Sequence, residues 1–303
     1  HEAIARAHAP KDMADLSPSD APRERLAYDE FMAHQLTLGL ARAKLRRTKG
    51  RATVGTGKLQ AKVLDALPYI PTGAQTRAIA EIAADMAQDR RMNRLLQGDV
   101  GAGKTLVAVM AALKAVSSGY QAAFMAPTEV LARQQFETVA GLLAPLGHEV
   151  AILTGREKGP KRESTLMGLA DGSIHVAVGT QALFQESVLF QKLGLIVVDE
   201  QHRFGVADRM RLIEKASAPH MLVMSATPIP RTLAQAVHGD LDISILDEKP
   251  AGRQPIETRA IPDTRIEEVV EAIGRAIDRG ERVFWVCPRV DSDEDDSSAV
   301  ARA

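Results

Sequence analysis

Leu95–Thr105 reads LLQGDVGAGKT. Gly98, four residues, then Gly103, Lys104 and Thr105 fit the phosphate-binding loop G-x-x-x-x-G-K-[ST], with a helical stretch rich in Ala, Val and Leu directly after it. A triphosphate tail needs many donors in a small space. Gly98, Gly101 and Gly103 let the backbone wrap so that successive N–H groups point inward, and the N-terminus of the next helix adds partial positive charge. In such a loop Lys104 reaches the β- and γ-phosphates and the Thr105 hydroxyl coordinates Mg²⁺, so ATP and Mg²⁺ are the expected ligands.

From Leu95 to about Leu246, short apolar runs alternate with helical segments: RLLQG, QAAFMAP, HEVAILTG, IHVAVGT, LGLIVVDE and HMLVMSAT. Several are apolar at consecutive positions. Strands buried on both faces read this way, which predicts a parallel sheet with helices on either side, an α/β doubly wound domain. Upstream, LPYIPTGAQ leads to Gln75, after which Ala78, Ile79, Ile82, Ala83 and Met86 predict an amphipathic helix. Residues 1–22 hold Pro10, Pro18 and Pro22 and read as a loop or linker, whereas Arg23–Arg47 is proline-free and helical in pattern. The basic end of that helix, Ala41–Arg51, suits either phosphate contact or a solvated C-terminus favoured by the helix dipole. Val54–Leu59, VGTGKL, lacks a leading glycine and a hydroxyl residue after Lys58, so it reads as a turn.

Beyond Asp247, the turn-rich EKPAGRQP precedes IETRAIP as a strand, a helix from Ile266 to about Arg279, and RVFWVCP as a second strand. One such cycle cannot bury its own faces. Residues 251–303 are therefore expected to be the truncated start of a second domain, after an N-terminal linker and helix over 1–60 and a main domain over 61–250.

Hydrophobic residues make up 45% and charged residues 25% of the 303, an ordinary globular composition, and the formal net charge is −1. No global electrostatic case for nucleic acid exists, so a DNA-binding surface has to be a local patch. The single cysteine, Cys287, excludes an internal disulfide and suits a cytoplasmic setting. No stretch approaches the ~20 apolar residues of a membrane span, and no zinc-type His or Cys spacing occurs.

A second chemical signal is the strand LGLIVVDE, ending in Asp199 and Glu200. A phosphate loop and such a strand are expected to be adjacent, with Asp199 holding Mg²⁺ and Glu200 orienting and deprotonating the attacking water. The residues that follow are Gln201, His202, Arg203, Phe204, Gly205 and Val206. DEQH with this sequel resembles motif II of superfamily-2 helicases, in the form found in the bacterial RecG branch-migration helicases. GDVGAGKT at Gly98–Thr105, MAPTEVLARQ at Met125–Gln134, VGTQALFQ at Val178–Gln185, MSATPIPRTLA at Met224–Ala234 and the helix RLAYDEFMAHQLTLGL agree with it.

That resemblance covers nearly the whole chain and implies a RecA-like first motor domain. It further implies that Gln75 reads the adenine, that Thr128, Glu129, Thr180 and Gln181 contact the DNA backbone, and that Ser225, Ala226 and Thr227 couple nucleotide state to DNA grip. His202 would relay between the γ-phosphate and that motif; by itself it equally suits a structural histidine. The implied partners are branched double-stranded DNA, fork junctions and other parts of the same full-length chain, a wedge domain and a second motor domain, in a monomeric motor. An arginine from the second motor domain would reach the γ-phosphate, and such fingers contribute about 10³ to 10⁵ in rate, so a fragment without it is expected to bind nucleotide weakly and turn over slowly. Transcription-repair coupling translocases share several of these stretches but would place an acid at Gln201 and an aromatic at Ala102. A nucleotide-dependent DNA-binding module without turnover is the reading from another class, and the intact Lys104, Thr105, Asp199 and Glu200 argue against it.

Overall fold

The computed structural model describes residues 2–10, 17, 19–47, 50–199, 218–227, 241–250 and 256–286. The chain divides into two compact units, His1–Arg253 and Gln254–Ala303. In the first, helices α1 (Glu2–His8), α2 (Ala21–Arg47), α3 (Lys58–Ala66) and α4 (Gly73–Met86) precede the sheet. Then β1 (Asn93–Gly98), α5 (Lys104–Ser117), β2 (Gln121–Met125), α6 (Glu129–Leu143) and β3 (Val150–Leu153) follow in turn. The unit continues with α7 (Gly159–Asp171), β4 (Val176–Gly179), β5 (Leu193–Asp199), β6 (His220–Ser225) and β7 (Asp242–Leu246).

These seven strands form one sheet in the order β3-β4-β2-β5-β6-β1-β7, and every pairing is parallel. Side chains alternate between faces along a strand, so a continuous apolar run fills both. Leu96, Phe124, Val197, Leu222 and Met224 pack into one core, whereas their neighbours Leu95, Ala123, Ile196, Val198, Met221 and Val223 pack on the other face. Across the first face lies α5, whose residues from Leu106 to Val116 are all buried except Lys114. A helix that is apolar all round has to sit inside, and this one packs against β1, β2 and β5 below and α3 and α4 beside it. Burial of each such Leu or Val is worth about 1.5–3 kcal/mol. On the opposite face α7 adds Leu169 to a cluster with Leu153, Ala177 and Leu183. The doubly wound arrangement expected from the apolar runs is thus the one observed.

Several local expectations fail for physical reasons. Residues 1–22 read as a loop, yet Glu2–His8, EAIARAH, is helical, since Ala, Glu and Arg are good helix formers and proline does not intervene before Pro10. VGTGKL, read as a turn, ends in a helix start: Gly57 caps α3 from the left-handed region (φ 73°), and α3 buries Val63. β7 went unrecognised because DISIL is no apolar run: it is an edge strand, with Ile245 36% exposed and Ser244 buried in a polar network. The expected adjacency of the phosphate loop and Asp199 does hold, in one cavity, although β6 lies between β1 and β5 in the sheet.

In the second unit the helix α8 (Ile266–Asp278) forms as expected. Of the segments read as strands, 256–262 and 282–288, residues 256–262 and 282–286 are described, and they pair with no sheet among the described residues. A strand is completed only by a neighbour that takes its N–H and C=O groups, and a lone hairpin-length segment has little stability without one.

Candidate nucleotide and nucleic-acid site

The carboxyl ends of β5, β6 and β1 stand in a row. Asp199 pairs in register with Met224, Leu96 with Met224, and Gln97 with Ser225. Strands lie about 4.8 Å apart, so Asp199 sits roughly 10 Å across the edge from the end of β1, and the loop after β1 closes part of that gap. Gly101 (φ 78°) and Gly103 (φ 84°) take left-handed backbone conformations there, which residues with a Cβ resist. Gly103 is also the N-cap of α5 and offers no side-chain oxygen, so the positive end of the helix faces the loop. Lys104 Nζ donates to the Gly98 carbonyl at 2.6 Å and to the Asp99 carbonyl at 3.0 Å.

Lys104, Thr105 and Asp199 line one cavity of about 300 Å³ with Val100, Gly101, Gln135, Met224 and Ala226 among its other walls. Five sequence-predicted site residues, Gly101 and Ala226 included, thus meet in one place. The Asp199 carboxylate accepts a hydrogen bond from Gln135 Nε2 at 2.5 Å. Next to it, Ser225 Oγ and Thr227 Oγ1 are 2.8 Å apart, and Thr227 N–H donates to Ser225 Oγ. Glu200 and His202 lie outside the described residues.

Gln75 is 2% exposed and sits beneath the loop. It completes a capping box at the start of α4: Thr72 Oγ1 accepts from Gln75 N–H, and Gln75 Oε1 accepts from Thr72 N–H. Its Nε2 donates to the Ala102 carbonyl at 2.8 Å. Both ends of the amide are bonded within the protein, and Gln75 ties α4 to the phosphate loop.

The residues expected to touch DNA occupy the other half of the same edge, on the loops after β2 and β4. Thr128 caps α6, its hydroxyl accepting from Leu131 N–H, and Glu129 opens that helix. Thr180 and the exposed Gln181 start a short 3₁₀ turn at Gln181–Phe184. A neighbouring loop was missed. After β3, Glu157 Oε2 accepts from Thr154 N–H at 2.6 Å and Thr154 Oγ1 at 2.5 Å, Arg133 bonds Glu157 Oε1, and Arg156 pairs with Glu129 at 2.7 Å. Burial opposes the Glu157 charge, but bonds from Thr154 and Arg133 outweigh it and hold the carboxyl below its usual range. The signal was present: Thr154-x-x-Glu157 straight after an apolar run has the spacing of a capping box. It fixes the loop that carries Arg156, which is exposed on this edge.

No helix among the described residues is long and apolar enough to cross a membrane. Residues 72–236, more than half of the chain, match the DEAD/DEAH box helicase family. The ATP-dependent DNA helicase RecG of Escherichia coli (strain K12) is 45% identical over 302 residues, covering 97% of this chain and 44% of that protein. RecG of Acidithiobacillus ferridurans is 46% identical over 278 residues, 92% of this chain and 41% of that one. The chain therefore spans less than half the length of these curated relatives. A solved structure of RecG bound to a three-way DNA junction superposes with a TM-score of 0.82 at 41% identity, over 96% of this chain and 39% of that one. The helicase MrfA bound to DNA matches at TM-score 0.54 and 18% identity, a likeness of fold.

Proposed function

The chain belongs to the DEAD/DEAH box helicase family, and from that premise we propose that it is the first motor domain of an ATP-driven helicase that remodels branched DNA in recombination and repair. The observation that carries this is the shared cavity of Lys104, Thr105 and Asp199 at the carboxyl edge of the sheet. Ligands of doubly wound sheets bind at that edge. The RecG relatives, and the RecG structure bound to a three-way junction, support branched DNA as the substrate.

The donor set fits magnesium. Thr105 offers a hydroxyl and Asp199 a carboxylate, the hard oxygen ligands that Mg²⁺ selects. When bound, the ion would neutralise charge on the phosphate oxygens. Around it Lys104 and the N–H groups at the start of α5 would hold the β- and γ-phosphates, and Gly101 and Gly103 shape the loop that presents them. Glu200, next after Asp199, would take the proton of the attacking water. Ser225 and Thr227, at the end of the strand beside β5, would sense that event. Thr128, Glu129, Thr180 and Gln181 would contact the DNA backbone from the neighbouring loops. Base reading by Gln75 would exchange its bond to Ala102 for one to the adenine edge.

Residues 251–303 would open a second motor domain, which supplies the arginine of a composite site. ATPase rate with and without forked DNA, on this chain and on one extended through that domain, tests the reading. Strong DNA stimulation in the extended chain is expected, and Glu200→Gln should abolish it while nucleotide binding persists. A silent extended chain would leave a nucleotide-dependent binding module instead.

A further inference from the structure

The buried face of α6 consists of Ala132, Gln135, Val139 and Leu143. Spacings of three, four and four place them on one stripe against the sheet, and Gln135 is the polar member. It is 7% exposed. Burying an amide costs free energy unless both its ends are bonded, so an aliphatic residue would serve packing better. The amide is half bonded. Nε2 donates to Asp199 Oδ2 at 2.5 Å, while Oε1 is buried without a hydrogen-bond partner. Gln135 also lines the cavity shared by Thr105 and Asp199.

We propose that Gln135 is a positioning residue for the divalent cation: its N–H fixes the Asp199 carboxylate that would hold the ion. This rests on the reading of the cavity as a magnesium–nucleotide site. A neutral donor is the right chemistry for the task. Lys or Arg at this position would orient Asp199 equally well but would cancel the negative charge that attracts the cation. Gln bonds one carboxylate oxygen and leaves the charge in place. Partners one step removed from a metal orient its ligands, and their loss typically lowers metal affinity 10–100-fold.

The test uses the 303-residue chain and Mn²⁺ as a paramagnetic probe, titrated by electron paramagnetic resonance in the presence of a non-hydrolysable ATP analogue. Gln135→Leu should weaken Mn²⁺ binding by about tenfold or more, while affinity for the analogue without metal changes less than about twofold. Gln135→His, which restores a neutral N–H donor, should recover part of the loss. Unchanged Mn²⁺ affinity in Gln135→Leu beside a wild type that binds the ion would overturn the proposal alone. So would an equal fall in metal-free affinity and thermal midpoint, which is the mark of packing. A wild type with no metal-dependent binding would instead refute the magnesium–nucleotide reading, and the role of Gln135 with it.

Discussion

Substitution of Gly103 by alanine separates two costs that the phosphate loop imposes. Its φ of 84° lies in the left-handed region, where a residue with a Cβ loses about 1–2 kcal/mol. A Cβ there would also stand 2.3 Å from Gln75 Nε2. The amide then has to swing away and give up the Ala102 carbonyl, and an orphaned buried acceptor costs about 1–3 kcal/mol. Gly103→Ala should therefore destabilise the chain by about 2–5 kcal/mol in urea unfolding followed by circular dichroism. Gly57→Ala is the control, because Gly57 has φ 73° but meets nothing within 4 Å of an added Cβ. It should cost only the backbone part, about 1–2 kcal/mol. In a Gln75→Ala background the collision is gone, so Gly103→Ala should fall to the same figure. The reasoning is refuted if Gly103→Ala costs no more than Gly57→Ala, or costs the same in both backgrounds, since contacting residues are expected to couple.

Burial pushes the His220 imidazole below its usual 6.5, and the tautomer is fixed: Nδ1 accepts from Met92 N–H, so Nε2–H points at the Arg51 carbonyl and Thr53 Oγ1, both at 3.0 Å. The unfolded chain then binds the proton first, so His220 contributes stability above pH 6.5 that is lost as pH falls through the lower folded value. The unfolding midpoint should drop between pH 7.5 and 5.5, and a His220→Gln variant with an equal drop would show that another group is responsible. Arg94 bonds Asp85, Glu81 and Ser244 and so ties β1, α4 and β7 together. Arg94→Ala leaves the buried Asp85 carboxylate with only the longer Arg90 contact at 3.7 Å and should cost about 3–5 kcal/mol in the same urea assay; a loss below about 1 kcal/mol would contradict this. The Glu200→Gln variant should retain nucleotide in equilibrium dialysis while an extended chain loses turnover, and rapid hydrolysis by it would remove Glu200 from its role as base.

What could be read beforehand depended on whether one residue's neighbours in sequence decide its fate. AAFM, LIVV and MLVM are short runs apolar on consecutive positions and bounded by turn residues, which is how strands covered on both faces read, so most of the sheet was legible. The phosphate loop was legible because its glycines serve local backbone geometry. Strand order was not, since insertion of β6 between β1 and β5 depends on crossovers that leave no mark on the letters. β7 was hidden because Ser244, polar in sequence, is buried by partners at Glu81 and Arg94, more than a hundred residues away. Gln135 was hidden in the same way: it reads as an ordinary helical glutamine until β5 brings Asp199 beneath it. The segments 256–262 and 282–288 look like strands by composition, but composition does not show whether a neighbouring strand pairs with them, and among the described residues none does.

Calorimetric titration with a magnesium-bound, non-hydrolysable ATP analogue asks whether Lys104, Thr105 and Asp199 form a nucleotide site on this chain. The chain should bind, weakly, and Lys104→Ala should lose at least about tenfold in affinity, since a charged hydrogen bond to phosphate is worth about 1.5–3 kcal/mol. Equal binding by the wild type and Lys104→Ala would contradict the assignment of the phosphate loop and the motor reading built on it.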